Sequence, residues 1–340
     1  MTLKPLEGFR HFTTHHCVTG SMRHIYAFNG FDLSEDLLLG LGSGVSFSYW
    51  HFKGQPPFFG GRGLPRPGLE ELAGQRTGVV IQSHSTTSRA KAKMVLLKMI
   101  SAGQPVMLQV DMGYLPYFCF GGEEYHFGGH AIVVCGYDPR SDQVLIADRE
   151  EELHTVAMGE LENARASAYK PFPPKNRWYT FDFNRKRSPT PEEVGRAIQE
   201  QVDSMLHPPI SNLGIKGIRK AAKLVPDWAQ SMSEKELRWT LFNIYIFISQ
   251  VGGSGGGAFR YMFSRFLKEA AQIQGNPELQ DCAQEFEHIG DKWEELGIWF
   301  RQTSQAANPA QQLGDCVLPL NLLAEMEERS WKRLLDCAAA

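Results

Sequence analysis

The 340-residue chain has no Cys-x-x-Cys pair, no apolar run long enough to cross a bilayer and no marked excess of charge. Its six cysteines, at positions 17, 119, 135, 282, 316 and 337, are widely spaced. That spacing predicts reduced thiols in a cytoplasmic protein, with no disulfide framework and no structural zinc. The longest apolar region, residues 241–251, is broken by Asn243, Ser249 and Gln250, so no membrane span is expected. The opening MTLKPLEGFRHF lacks the apolar core of a signal peptide, which again predicts a cytoplasmic protein. A net charge of −3 with scattered basic residues gives no electrostatic footprint for nucleic acid. What remains, 42% hydrophobic and 21% charged, is the composition of a globular protein, long enough for two domains.

The chemistry centres on HFTTHHCVTGSMRHIYAF and within it on Cys17. Val18, Met22, Ile25 and Tyr26 recur at helical spacing, and Thr13 and Thr14 stand where a cap is wanted. Cys17 therefore falls near a helix start, where amide N–H groups favour a thiolate over a thiol. The alternative is a small core cysteine. Downstream, residues 131–137 and 144–147 are β-branched apolar runs separated by the turn residues DPRSD, a β-hairpin. His130 opens its first strand and Asp148 ends its second, so both lie at one end of the hairpin. Nucleophile on a helix, base on a strand, carboxylate on the next strand: Cys17, His130 and Asp148 follow the papain-type order of a cysteine triad. The thiolate attacks, the imidazole moves the proton, and the carboxylate holds the ring.

HHCVTGSMRHIYAFNG, GLGSGVSFSYW and HFGGHAIVVCGYD…ADRE together resemble the butirosin-biosynthesis protein H family, and GGSGGGAFRYMFSRFLKEAA resembles the helical domain that follows in such proteins. The resemblance covers nearly the whole chain. It implies a fold similar to papain-like and double-glycine-leader peptidases. It also implies an acyltransferase that moves an aminoacyl group from an acyl carrier protein, as a phosphopantetheine thioester, to a small-molecule amine. Under it Cys17 matches the nucleophile, His130 the base and Asp148 the orienting acid. Leader peptidases place a Gln some six residues before the Cys; here His11-Phe12-Thr13 stands instead, so the second oxyanion donor is unassigned.

Four further residues are candidates for substrate contact. His16 is a polar neighbour of the thiolate. Ser43 and Tyr49 belong to the glycine- and aromatic-rich stretch LGSGVSFSYW, which reads either as a pocket wall or as a turn feeding a core strand. Asp111, at the end of a strand over 105–111, is the candidate for recognising an amine. Residues 55–78, rich in Gly and Pro, read as a long surface loop. His11 and His15 invite a metal reading, but no carboxylate or second cysteine completes the set, and no metal is expected.

A helix is expected over 87–102, a short one over 158–168 and a last strand over 178–183. Beyond these the pattern is helical, opened by the capping boxes at Thr190-Pro191-Glu192-Glu193 and Ser233-Glu234-Lys235-Glu236. The glycines of VGGSGGGAF lack the Lys-Ser/Thr of a P-loop and read as a flexible joint. The expectation is an α+β protein with a papain-like catalytic domain over 1–188 and an α-helical domain over 189–340. The expected activity is cysteine-dependent acyl transfer needing no metal, with carrier protein and amine as partners and antibiotic biosynthesis as setting. A cysteine peptidase or amidase, or a silent binding protein of the same fold, are the alternatives.

Overall fold

The computed structural model describes residues 3–52, 55–63, 65–119 and 125–339. The chain is α+β. Its strands are β1 (Val45–Trp50), β2 (Phe58–Arg62), β3 (Val80–His84), β4 (Val106–Val110), β5 (His130–Asp138), β6 (Gln143–Ala147), β7 (His154–Ala157) and β8 (Trp178–Asp182). Its α-helices begin with α1 (Cys17–Phe28), α2 (Glu35–Leu41), α3 (Leu69–Arg76), α4 (Arg89–Ser101) and α5 (Met158–Ala166). They continue with α6 (Pro191–Leu206), α7 (Gly214–Leu224), α8 (Glu234–Ile248), α9 (Arg260–Gln274), α10 (Glu278–Gln305), α11 (Pro309–Gln312) and α12 (Val317–Ala339). Among the described residues no helix is long and apolar enough to cross a membrane.

Two compact units divide the chain, Met1–Leu38 with Thr77–Arg187, and Leu39–Arg76 with Ser188–Ala340. The expected continuous domains 1–188 and 189–340 are corrected accordingly, because Leu39–Arg76 groups with the C-terminal residues.

In the first unit six strands form one sheet in the order β3-β8-β4-β5-β6-β7, with antiparallel neighbours throughout. The β5–β6 hairpin is the one the apolar runs predicted, and the register pairs Val110 with His130 at the end of the ladder. Leu96 and Ile100 of α4 and Leu161 and Ala164 of α5 share a core with Leu108, Ile132, Val134, Val144 and Ile146 of the sheet. Helix α1 is buried along Val18, Met22, Ile25 and Tyr26 and packs against β5 and β4. This packing fixes the start of α1 relative to the start of β5, which is what the site requires.

In the second unit β1 and β2 form a two-stranded antiparallel sheet packed against helices. Phe47 of β1 stacks on Trp293 of α10 at 5.4 Å, and Phe59 of β2 meets Phe300 edge-on at 5.7 Å. The surface loop expected over 55–78 is therefore corrected: it contains β2 and α3, and Phe59 and Leu69 are buried. Its glycines serve close packing; a Cβ on Gly61 would sit 2.5 Å from the Ala258 carbonyl oxygen. Both expected capping boxes are present, with Thr190 and Glu193 on α6 and Ser233 and Glu236 on α8. The flexible joint expected at VGGSGGGAF is also corrected. Ser254 Oγ donates to the Ile248 and Ser249 carbonyls at 3.0 and 2.8 Å, and Gly257 N–H donates to Glu294 at 2.9 Å. A Cβ on Gly257 would meet the Gly290 Cα at 2.6 Å, so this glycine permits backbone contact with α10.

Candidate functional site

Cys17 is the first residue of α1 and is half-buried. The cap is neither expected threonine but His16, in extended conformation at φ −110° and ψ 124°, whose Nδ1 accepts from the Thr19 N–H at 3.5 Å. The two amides before the helix are bound by one carboxylate: Glu35 accepts from His15 N–H at 2.8 Å and from His16 N–H at 3.1 Å. One residue earlier, Thr14 N–H donates to the Arg149 carbonyl at 3.0 Å, tying the lead-in of α1 to the residue after Asp148. The chain around Cys17 is thus held from both sides before any side-chain chemistry is considered.

His130, at the first position of β5, is buried, and its Nε2 lies 2.6 Å from Asp148 Oδ2. The imidazole also acts on the Cys17 thiol, through hydrogen bonding and charge. Thiol, imidazole and carboxylate are thus brought together, with His130 interacting with both of the others. Burial alone raises the Cys17 pKa. The hydrogen bond and charge of His130, the Ala131 main chain and the Arg149 charge outweigh it and leave the thiol below its ordinary value. Burial lowers the His130 pKa, but the charge and hydrogen bond of Asp148, reinforced by Cys17, raise it to about 10. Burial likewise raises Asp148, and the charge and hydrogen bond of His130, the Arg149 charge and the Tyr117 hydroxyl bring it below the usual carboxylate value. The electrostatics favour a thiolate–imidazolium pair, which is a nucleophile with its acid already beside it.

The four expected substrate contacts are committed within the fold. His16 caps α1. Ser43 and Tyr49 belong to the second unit and are buried; Ser43 Oγ donates to Glu200 at 2.6 Å, and the Tyr49 hydroxyl accepts from Trp228 Nε1 at 3.2 Å. Asp111 is completely buried. One of its oxygens accepts from the Gly113 and Phe127 amides at 3.0 Å each, and the other meets His126 Nδ1 at 2.9 Å and Ser167 Oγ at 2.5 Å. A carboxylate with four donors has no lone pair to offer a substrate amine, so Asp111 organises the segment after β4 instead. His11, considered for a metal, stacks on His24 of α1 at 5.2 Å, a packing role.

Three further residues reach the site. Glu35, in the first turn of α2, is tied to the residues before Cys17 across about twenty positions, with no local signal in the sequence. Tyr117 donates its hydroxyl to Asp148 Oδ2 at 2.9 Å, and Phe118 sets its ring edge-on to His130 at 5.4 Å. Only the pairing of distant strands brings this dipeptide to the triad.

Residues 16–149, which span Cys17, His130 and Asp148, match a family model described as butirosin biosynthesis protein H, N-terminal. Residues 159–334, more than half of the chain, match one described as a domain of unknown function, DUF4872. No curated protein matches the chain.

Proposed function

This chain belongs to the butirosin biosynthesis protein H family and carries the DUF4872 domain behind it, and from that premise we propose that it transfers an acyl group through a thioester on Cys17. The observation that carries the proposal is the buried His130–Asp148 hydrogen bond with Cys17 beside His130, all three inside the segment that matches the family. A helix-borne cysteine against a strand-borne histidine in an antiparallel sheet is, in this reading, a papain-like arrangement. The setting is antibiotic biosynthesis in the cytoplasm.

The steps follow from the protonation states. The Cys17 thiolate attacks the carbonyl carbon of a carrier-protein thioester, and the negative charge moves to the carbonyl oxygen. The Cys17 N–H, among the first-turn amides that make no bond within the helix, is one donor for that oxyanion. Collapse expels the phosphopantetheine thiolate, which takes the proton held on His130 and leaves acyl-Cys17. An amine then attacks the acyl carbon and His130 accepts the amine proton. Cleavage of the C–S bond releases the amide and returns the thiolate beside an imidazolium. A thioester is a better acyl donor than an amide, so the overall exchange runs downhill.

The test is intact-mass spectrometry of the full chain with an acyl thioester donor. One acyl mass is expected on Cys17, discharged by added amine, and Cys17 is expected to react with iodoacetamide ahead of the other five cysteines. Rapid peptide cleavage without an adduct that amines discharge makes the protein a peptidase. No adduct with any thioester, and no preferential labelling of Cys17, makes it a binding protein.

A further inference from the structure

Asp148 Oδ2 receives two donors at once. His130 Nε2 lies 2.6 Å from it and the Tyr117 hydroxyl 2.9 Å, while Asp148 Oδ1 accepts from the Arg149 N–H at 2.9 Å. The phenol is itself fixed, stacked on the His154 imidazole of β7 with centroids 3.9 Å apart and planes within 9°. The next residue, Phe118, meets the His130 ring edge-on at 5.4 Å and 87°. Two consecutive aromatics thus hold both members of the His–Asp pair, one by a hydrogen bond and one by its ring. Burial, followed by the Asp148 charge, keeps the Tyr117 phenol protonated well beyond its ordinary range, so toward Asp148 it acts only as a donor.

We propose that Tyr117 is a positioning residue that sets how strongly Asp148 holds the His130 proton. This rests on the acyl-Cys17 reading, because only a base that gives its proton back needs such control. In the transfer His130 must hold a proton beside the thiolate and then release it to the departing thiol. A carboxylate oxygen bonded to His130 alone would bind the imidazolium most tightly and make it a poor acid. Sharing that oxygen with a phenol draws off part of its negative charge and eases release. The ionisable groups that act on the His130–Asp148–Tyr117 line are Cys17 and His24 on α1, Arg149 and Glu150 after β6, and His154 on β7. None of these shares an Asp148 oxygen with His130 among the described hydrogen bonds; Tyr117 does.

The experiment follows the His130 ring proton by NMR in the full chain, labelled at histidine, as pH is varied. Three proteins are compared: wild type, Tyr117→Phe, and protein with 3-fluorotyrosine at position 117, which has nearly the same shape but a more acidic phenol. Removing the donor is expected to raise the His130 midpoint by about half a pH unit or more, and the stronger donor to lower it. The basic limb of kcat/KM is expected to move in the same directions with KM nearly constant. Midpoints that stay put in both proteins, whatever happens to the melting temperature, overturn the proposal. If Tyr117→Phe fails to fold, the isosteric fluorotyrosine protein decides alone. If the midpoints move as expected but no acyl adduct forms, the hydrogen-bond assignment stands and the transferase reading fails.

Discussion

Each unit has a buried charged pair built around a carboxylate, and these two pairs do opposite things. In the second unit Arg260 Nε lies 2.8 Å from Glu327 Oε1, both side chains fully buried. Trp293 and Trp331 each donate an indole N–H to Glu327 at 2.7 Å, and Arg260 Nη1 donates to the Ser46 and Ala258 carbonyls at 2.8 and 2.7 Å. In the first unit His130 and Asp148 are as well buried and their hydrogen bond is shorter, 2.6 Å. The difference lies in the cation and in what stands behind it. A guanidinium keeps its proton in any folded protein, so Arg260–Glu327 can only hold structure. An imidazole exchanges its proton, and beside His130 stands the half-buried Cys17. Burial of charge costs both units alike; the first unit's pair differs in having an ionisable thiol beside its cation.

Swapping each carboxylate for its amide breaks the comparison in opposite ways. Asp148→Asn is expected to lower the acyl-transfer rate by roughly 10²- to 10⁴-fold, through loss of the ring's orientation and of imidazolium stabilisation, and to cost stability only through its pH-dependent pairing with His130. Measuring single-turnover acylation beside calorimetry checks this. A large fall in stability with little rate loss would make Asp148 a hairpin residue only.

Glu327→Gln is expected to do the reverse. It strands Arg260 without a countercharge at a cost of about 3–5 kcal/mol, seen as earlier unfolding of the helical unit in denaturant, while native protein keeps its Cys17 labelling rate. Equal stability of mutant and wild type would show the pair to be dispensable.

A smaller effect sharpens the contrast through pH. The folded-state pKa of His130 is raised from 6.5 to about 10, so its pairing stabilises fully below 6.5 and is lost as pH rises through the folded value. Asp148 is lowered from 3.8, so its share is present above 3.8 and lost as pH falls through its folded value. The stability gap between wild type and Asp148→Asn is therefore expected to be widest between pH 3.8 and 6.5 and to shrink steadily toward 10. A gap that widens toward alkaline pH contradicts the assigned direction. Denaturation curves at several pH values measure it.

The features legible in the sequence are those whose cause is local. Periodic apolar residues place α1, and a capping box depends on residues three apart, so Thr190 and Ser233 mark the starts of α6 and α8 correctly. The hairpin was readable because turn chemistry sits between two β-branched runs, and with it came the alignment of His130 and Asp148. Features that depend on contacts across the chain were not readable. Thr13 and Thr14 look like caps, yet Thr14 N–H is taken by Arg149, and His16 caps instead. Asp111 ends its strand in a way that suits a binding group, and only its four donors show that it is spent. Gly-Pro richness over 55–78 signals a loop unless the partner of each glycine is known, and Gly61 has Ala258 as its close neighbour.

The interleaving of the two units also bears on how the chain is made. Residues 1–38 and 77–187 are complete once position 187 has left the ribosome, so the unit bearing Cys17 can form while synthesis continues. The segment from Leu39 to Arg76 has emerged by then, but Phe47 and Phe59 must wait for Trp293 and Phe300, more than two hundred residues later. For that interval a strand pair with large aromatic side chains hangs as a loop from a finished unit. Until Trp293 and Phe300 arrive, Phe47 and Phe59 are apolar side chains without the ring partners they have in the folded unit.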